Sequence, residues 1–69
     1  MITEIGIVAG EVWHCLDEHR GTARLSDITA AIGRSRELAL MSAGWLAREG
    51  HVVLQQEGQD YLVTLRQPS

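Results

Sequence analysis

Three side chains able to bind a metal or move a proton crowd one stretch of the sequence: His14, Cys15 and His19. Cys15 and His19 stand four apart, the spacing that brings two side chains together on one helix face, and a thiolate with an imidazole is a donor pair for zinc. A closed zinc site needs four ligands, and among the usual nitrogen and sulfur donors only His51 remains. The stretch therefore reads as metal-free, with Cys15 a small core residue and the histidines at an edge or on the surface. Nucleophilic catalysis is no better served, because Cys15 and His19 share one helix with no oxyanion donor in view. Asp17-Glu18 and Glu57 with Asp60 read as solvated acidic surface, and no glycine-rich phosphate loop is present. The residues thus predict no catalytic site, no metal and no cofactor, and binding rather than chemistry.

The binding chemistry on offer is anion recognition. All six basic residues are arginines, and Arg34, Ser35 and Arg36 fall together, with Arg24 upstream. If duplex DNA is the partner, Ser35 and Arg36 are the base contacts, while Arg24 and Arg34 hold phosphates. The competing reading is a solvated turn carrying ordinary surface arginines. Phosphate contacts supply most non-specific affinity for DNA, so a formal charge of −3 and a pI of about 5.4 weigh mildly against it. The second half of the chain offers no cation between Gln55 and Asp60, only Gln55, Gln56, Glu57 and Gln59.

The elements that would position these residues are legible from periodicity and punctuation. Ile5, Val8, Val12, Leu16 and His19 recur at helical spacing, flanked by Ala9 and Cys15, and predict a helix from about Thr3 to His19, capped by Thr3 and stopped by Gly21. A short extended piece, Gly21 to Leu25, leads to a two-turn helix with Ser26 as cap, Leu25, Ile28 and Ile32 inward, and Gly33 at its end. Ser35 caps a third helix from about Arg36 to Glu49, which Gly50 terminates. The period then changes: His51–Gln56 and Asp60–Leu65 read as two strands of a hairpin around Glu57-Gly58-Gln59, with Tyr61, Val63 and Leu65 on one face.

Two helices joined by a short glycine-containing turn make a helix-turn-helix. Helix, short strand, helix, turn, helix, hairpin is the winged-helix order, an α+β fold that is mainly α, with three helices and a C-terminal β-hairpin wing. Sixty-nine residues suffice for one such domain, residues 1–69, with 65–69 as a frayed tail.

Ile5-Gly6, Ala9-Gly10, Trp13 and Leu16, followed by Gly44-Trp45-Leu46-Ala47-Arg48-Glu49, resemble the signature of a small bacterial and archaeal winged helix-turn-helix family with no assigned activity. The likeness covers nearly the whole chain. It implies the winged-helix fold and a homodimer, and it implies no substrate. The chain departs from the family's usual character in lacking lysine and in carrying Gln55, Gln56 and Gln59 on the wing.

Gly6, Gly10 and Gly44 sit inside helices, where each costs about 0.8–1 kcal/mol relative to alanine. At 100° per residue Gly6 and Gly10 lie side by side, away from the Val8–Val12 face and bordered by Trp13. Either another element of the same chain packs closely there, such as the wing or Trp45, or a second copy lies across the groove. On the third helix Ala39, Ala43 and Leu46 suit the core, yet Leu38, Leu40, Met41, Gly44, Trp45 and Ala47 occupy most of the remaining circumference. A helix apolar nearly all round is normally buried on more than one side, and a DNA-reading face should instead carry Arg, Asn, Gln, Ser or Lys.

Two functions follow as expectations. One is a regulator-type winged helix that dimerises and binds DNA weakly. The other is a protein-interaction winged helix, self-associating or docked on a larger protein, without DNA. One cysteine cannot form an internal disulfide, and no stretch reaches the roughly 18 apolar residues of a membrane span, so a cytoplasmic location and no membrane are expected.

Overall fold

The computed structural model describes residues 2–66. Its elements run α1 (Ile2–Glu18), β1 (Thr22–Arg24), α2 (Leu25–Ile32), α3 (Arg36–Arg48), β2 (Val52–Glu57) and β3 (Asp60–Leu65). The helix and strand types and their order match the reading of the sequence. Among the described residues no helix is long and apolar enough to cross a membrane.

The C-terminal hairpin is not a free wing. β3 is the middle strand of a three-stranded antiparallel sheet of order β1-β3-β2, with Ala23 opposite Val63 on one side and Leu54 opposite Val63 on the other. The short extended piece expected between the first two helices is thus a sheet strand. It ties the start of the helix-turn-helix to the hairpin. Leu65, expected to open the loose tail, is paired with Val52, and the Arg66 N–H donates to the His51 carbonyl at 2.9 Å. The rest of the expected tail, 67–69, lies outside the described residues.

All three helices and the sheet contribute to one core. Val8, Val12 and Leu16 of α1 meet Leu25 and Ile28 of α2, Ala39 and Ala43 of α3, and Val63 of β3, all with no solvent exposure. Their spacing is the one the periodicity gave. Ile5 is only partly buried, and His19, placed on the apolar face by spacing alone, is exposed. Its ring Nδ1 instead lies 2.7 Å from the Cys15 carbonyl, closing the last turn of α1. Ser42 is the buried polar exception, and its hydroxyl donates to the Leu38 carbonyl one turn back at 2.8 Å.

Caps decide the boundaries, and two of three expected caps are displaced. Ser35 does cap α3, accepting from the Leu38 N–H at 3.2 Å. Thr3 lies inside α1, which opens at Ile2. Ser26 lies inside α2, whose N-cap is Arg24, a residue that makes no side-chain capping bond. α3 ends at Arg48, with Glu49 as its C-cap. The link between α2 and α3 turns on Gly33, which takes φ +69° and sends its N–H to Thr29 at 2.9 Å. The hairpin turn is tighter than expected: Glu57 pairs with Asp60, leaving Gly58-Gln59 as a two-residue loop. Gly58 has φ +63° and Gln59 is not among the positive-φ residues, the pattern of a II′ turn with glycine first.

Candidate interaction surface

The arginines singled out in the sequence are all engaged by carboxylates of the same chain. Arg34, in the turn between α2 and α3, reaches back to α1, and its Nε and Nη2 donate to the two oxygens of Glu11, each at 2.9 Å. Such a fork is the strong form of an ion pair. The hydrogen bond from Arg34, and then its charge, hold the Glu11 carboxyl below the usual glutamate range against partial desolvation, and Glu11 in turn raises Arg34.

Arg24 and Arg36 converge on the tip of the wing. The Arg24 Nε is 3.4 Å from Glu57 in an exposed pair. Arg36 donates through Nη2 to the Gln59 carbonyl at 2.6 Å, and its Nη1 is 3.6 Å from Asp60. Asp60 is the hub. It accepts from the Ser26 hydroxyl at 2.7 Å, the Ser26 N–H at 3.3 Å and the Tyr61 N–H at 2.8 Å. These bonds, the Ser26 hydroxyl first, hold its carboxyl below the usual aspartate range. Asp60 therefore caps α2 from across the molecule, where Arg24 offers no cap of its own. The sequence marked Asp60 only as acidic surface. Nothing in the local pattern shows that this wing residue reaches Ser26, 34 positions upstream.

Ser35, read as a base contact, spends its oxygen on the α3 cap. The structure thus gathers Arg24 and Arg36 at one corner and turns Arg34 away toward α1. Each positive charge there is matched by Glu11, Glu57 or Asp60.

Of the second candidate set, Gly6, Gly10, Trp13 and Trp45 come together, and Leu40, Met41 and Gly44 lie outside the groove that those four line. Gly6, Ala9, Gly10 and Trp13 of α1 face Trp45 and Leu46 of α3, with Glu49 and His51 at one end, around an open groove of about 310 Å³. A Cβ built on Gly6, Gly10 or Gly44 meets nothing within 4 Å. Close packing by the wing or by Trp45 is therefore not what these glycines serve among the described residues. Trp13 and Trp45 rim the groove with 42% and 47% of their surface exposed, and Met41 continues the apolar face of α3 at 44%. Leu40 and Gly44 are half-buried beside them. The exposed residues of α3 are Arg36, Glu37, Met41, Trp45 and Arg48, so the middle of the face that a DNA reader would line with polar side chains is apolar.

A shallower groove of about 300 Å³ between α1 and α2 is lined by Glu11, His14, Cys15, Glu18, Ala31 and Ile32. Its cysteine is buried, and burial first, then Glu18 and Asp27, push the thiol up and away from the reactive thiolate. The Cys15 sulfur is 3.7 Å from the His19 Nδ1. Among the described residues no three His, Cys, Asp or Glu side chains are placed to share a metal ion.

Comparison with known proteins adds the fold family. The family described as winged helix-turn-helix domain (DUF2582) matches residues 1–65. The solution NMR structure of protein BT2368 from Bacteroides thetaiotaomicron is similar, with 28% identity over 91% of this chain and 76% of that one and a TM-score of 0.77. No curated protein matches the chain.

Proposed function

The chain belongs to the DUF2582 family of winged helix-turn-helix domains, and from that starting point we propose that it is a non-enzymatic interaction domain that self-associates and does not read DNA. Fold alone leaves both options open, because function resides in the site a fold carries. The observation that carries the reading is the groove. Open glycines form its floor and two half-exposed indoles its rim. Tryptophan is among the side chains most enriched at association hot spots.

A two-fold dimer uses the same patch on both subunits, so the patch must hold both a projection and a recess. Trp13 and Trp45 are projections, and the floor at Gly6 and Gly10 is a recess. The glycine cost in a lone helix is then offset by contact between copies. Met41, one turn before Trp45, extends the same apolar face.

DNA binding is the second reading, favoured by the fold and by Arg24 and Arg36 lying together. It is weakened because the carboxylates that pair these arginines would meet the phosphates too, and like charges repel. Sedimentation and a salt-titrated duplex-binding assay separate the readings. The expected result is a concentration-dependent dimer with no duplex affinity at low salt, where phosphate contacts are strongest. A strict monomer at high concentration that binds duplex at low salt would reverse the assignment.

A further inference from the structure

β2 is an edge of the sheet, and its pairing with β3 runs without a bulge from Val52↔Leu65 to Glu57↔Asp60. Natural edges are usually blunted by lysine, proline, a bulge or shortness. β1, the opposite edge, is blunted by its length of 3 residues. β2 is 6 residues long, contains neither lysine nor proline, and carries a single charge, Glu57, at its turn end. Val53 on its outer face is 47% exposed.

The direction of its backbone groups follows from the turn. In a two-residue hairpin the closing pair, here Glu57 and Asp60, is hydrogen-bonded, and bonded and non-bonded pairs alternate from there. Gln55 and Val53 therefore bond to β3, and the Arg66 N–H to His51 carbonyl bond continues the same alternation. Val52, Leu54 and Gln56 point their N–H and C=O groups outward. Among the described residues no backbone group outside the sheet bonds to them.

We infer that β2 pairs with β2 of a second copy, antiparallel about a two-fold axis at Leu54, an inference that rests on the self-association proposed above and names the element that sets its register. Strand addition to an exposed edge is a common mode of recognition. For the buried-side residues to stay on one face, the two-fold axis must pass through a residue and not between residues. Centring on Leu54 sets Val52 opposite Gln56 of the second copy and Leu54 opposite itself, so every outward-facing residue is paired. The same register sets His51 opposite Glu57 of the second copy, an imidazole against a carboxylate, and Val53 opposite Gln55. An imidazole N–H can donate to that carboxylate, and polar cross-strand pairs of this kind favour the alignment. His51 also lines the groove, so the strand pair and the groove lie on neighbouring parts of one surface.

Amide hydrogen exchange read by NMR at dilute and concentrated protein, alongside sedimentation, tests this. The Val52, Leu54 and Gln56 amides should exchange at least tenfold more slowly in the concentrated sample, while Val53 and Gln55 are slow in both. A dimer whose Leu54 and Gln56 amides keep their dilute rates overturns the strand pairing and leaves the self-association reading standing. A strict monomer at millimolar concentration overturns both. Gln56→Pro supplies a second arm, because it removes an outward N–H and no bond to β3. It should keep the dispersed spectrum of the folded chain and dimerise at least tenfold more weakly. Undiminished dimerisation of folded Gln56→Pro also overturns the pairing.

Discussion

The guanidinium of Arg34 and the carboxylate of Glu11 meet fork to fork, 2.9 Å at each contact, and so fasten the turn of the helix-turn-helix to the first helix. Both side chains remain about one-third exposed, at 35% each, so solvent screens the pair and its effect on stability is modest. The pairing has a pH signature. Glu11 has a lowered folded pKa, so its contribution is fully present above the unfolded glutamate pKa and is lost as pH falls through the folded value. Melting temperatures of the wild type and Glu11→Gln should differ by a few degrees at neutral pH and converge in acid. A gap that persists unchanged well below the glutamate range would show that the ion pair contributes nothing.

Asp60 sets up a sharper case, because it serves α2 and the wing at once. Asp60→Ala should lower the melting temperature by roughly 4–8 °C, the usual scale for losing a helix cap in a chain of this size. Asp60→Asn keeps an acceptor for the Ser26 N–H and should lose less. Its folded pKa is also lowered, so this stabilisation too drains on the acid side. Equal melting points for all three proteins would remove the cross-molecule cap.

The open glycines give effects of opposite sign in one variant. With nothing within 4 Å of a Cβ at Gly6 or Gly10, alanine at both should stabilise the isolated fold by about 0.8–1 kcal/mol at each site. That corresponds to a rise on the order of 10 °C. The two methyl groups also fill the floor of the groove, so the same variant should dimerise more weakly. Denaturant melts at dilute concentration and sedimentation at high concentration measure the two effects. A fall in dilute stability would mean that the helix interior is tighter than its geometry.

Trp45 separates association from folding. Nearly half of its surface is exposed, at 47%, so Trp45→Ala costs the dilute protein only the packing of the buried part, and association is compared where both proteins are folded. Truncating an aromatic anchor at an interface commonly costs 2 kcal/mol or more, about thirtyfold in affinity. Sedimentation of Trp45→Ala should accordingly show association weakened by at least tenfold. Wild-type tryptophan emission should shift to the blue on concentration as the indoles leave water. Emission independent of concentration, with Trp45→Ala associating normally, would clear this face of a role.

Core and caps illustrate which parts of the fold were legible beforehand. Val8, Val12, Leu16, Leu25, Ile28, Ala39 and Ala43 were readable because burial follows a period of 3.6, and period is a property of sequence. Gly33 and Ser35 were readable because a left-handed C-terminus and an N-cap each demand a narrow set of residues. His19 was misplaced because the same period continues past the point where the helix ends and the ring finds a carbonyl. Ser26 was misplaced because a hydroxyl near a helix start looks the same whether it caps the helix or donates to Asp60.

The candidate sites divide along the same line. The apolar girth of α3 and the interior glycines of α1 were visible as composition on a helical wheel. Composition also supplied the arginines, but not the carboxylates that match them.

Local order, then, was written in the chain: three helices, the strands, their punctuation and an excess of apolar surface all follow from short-range periodicity and backbone preference. The tertiary structure decided everything that depends on residues distant in sequence. It joined β1 to β3, gave Asp60 to α2 and Glu11 to Arg34, and left the ground beside Gly6 and Gly10 open. Those outcomes depend on distances between elements, and a linear pattern carries the face each element presents without the neighbour that face will meet.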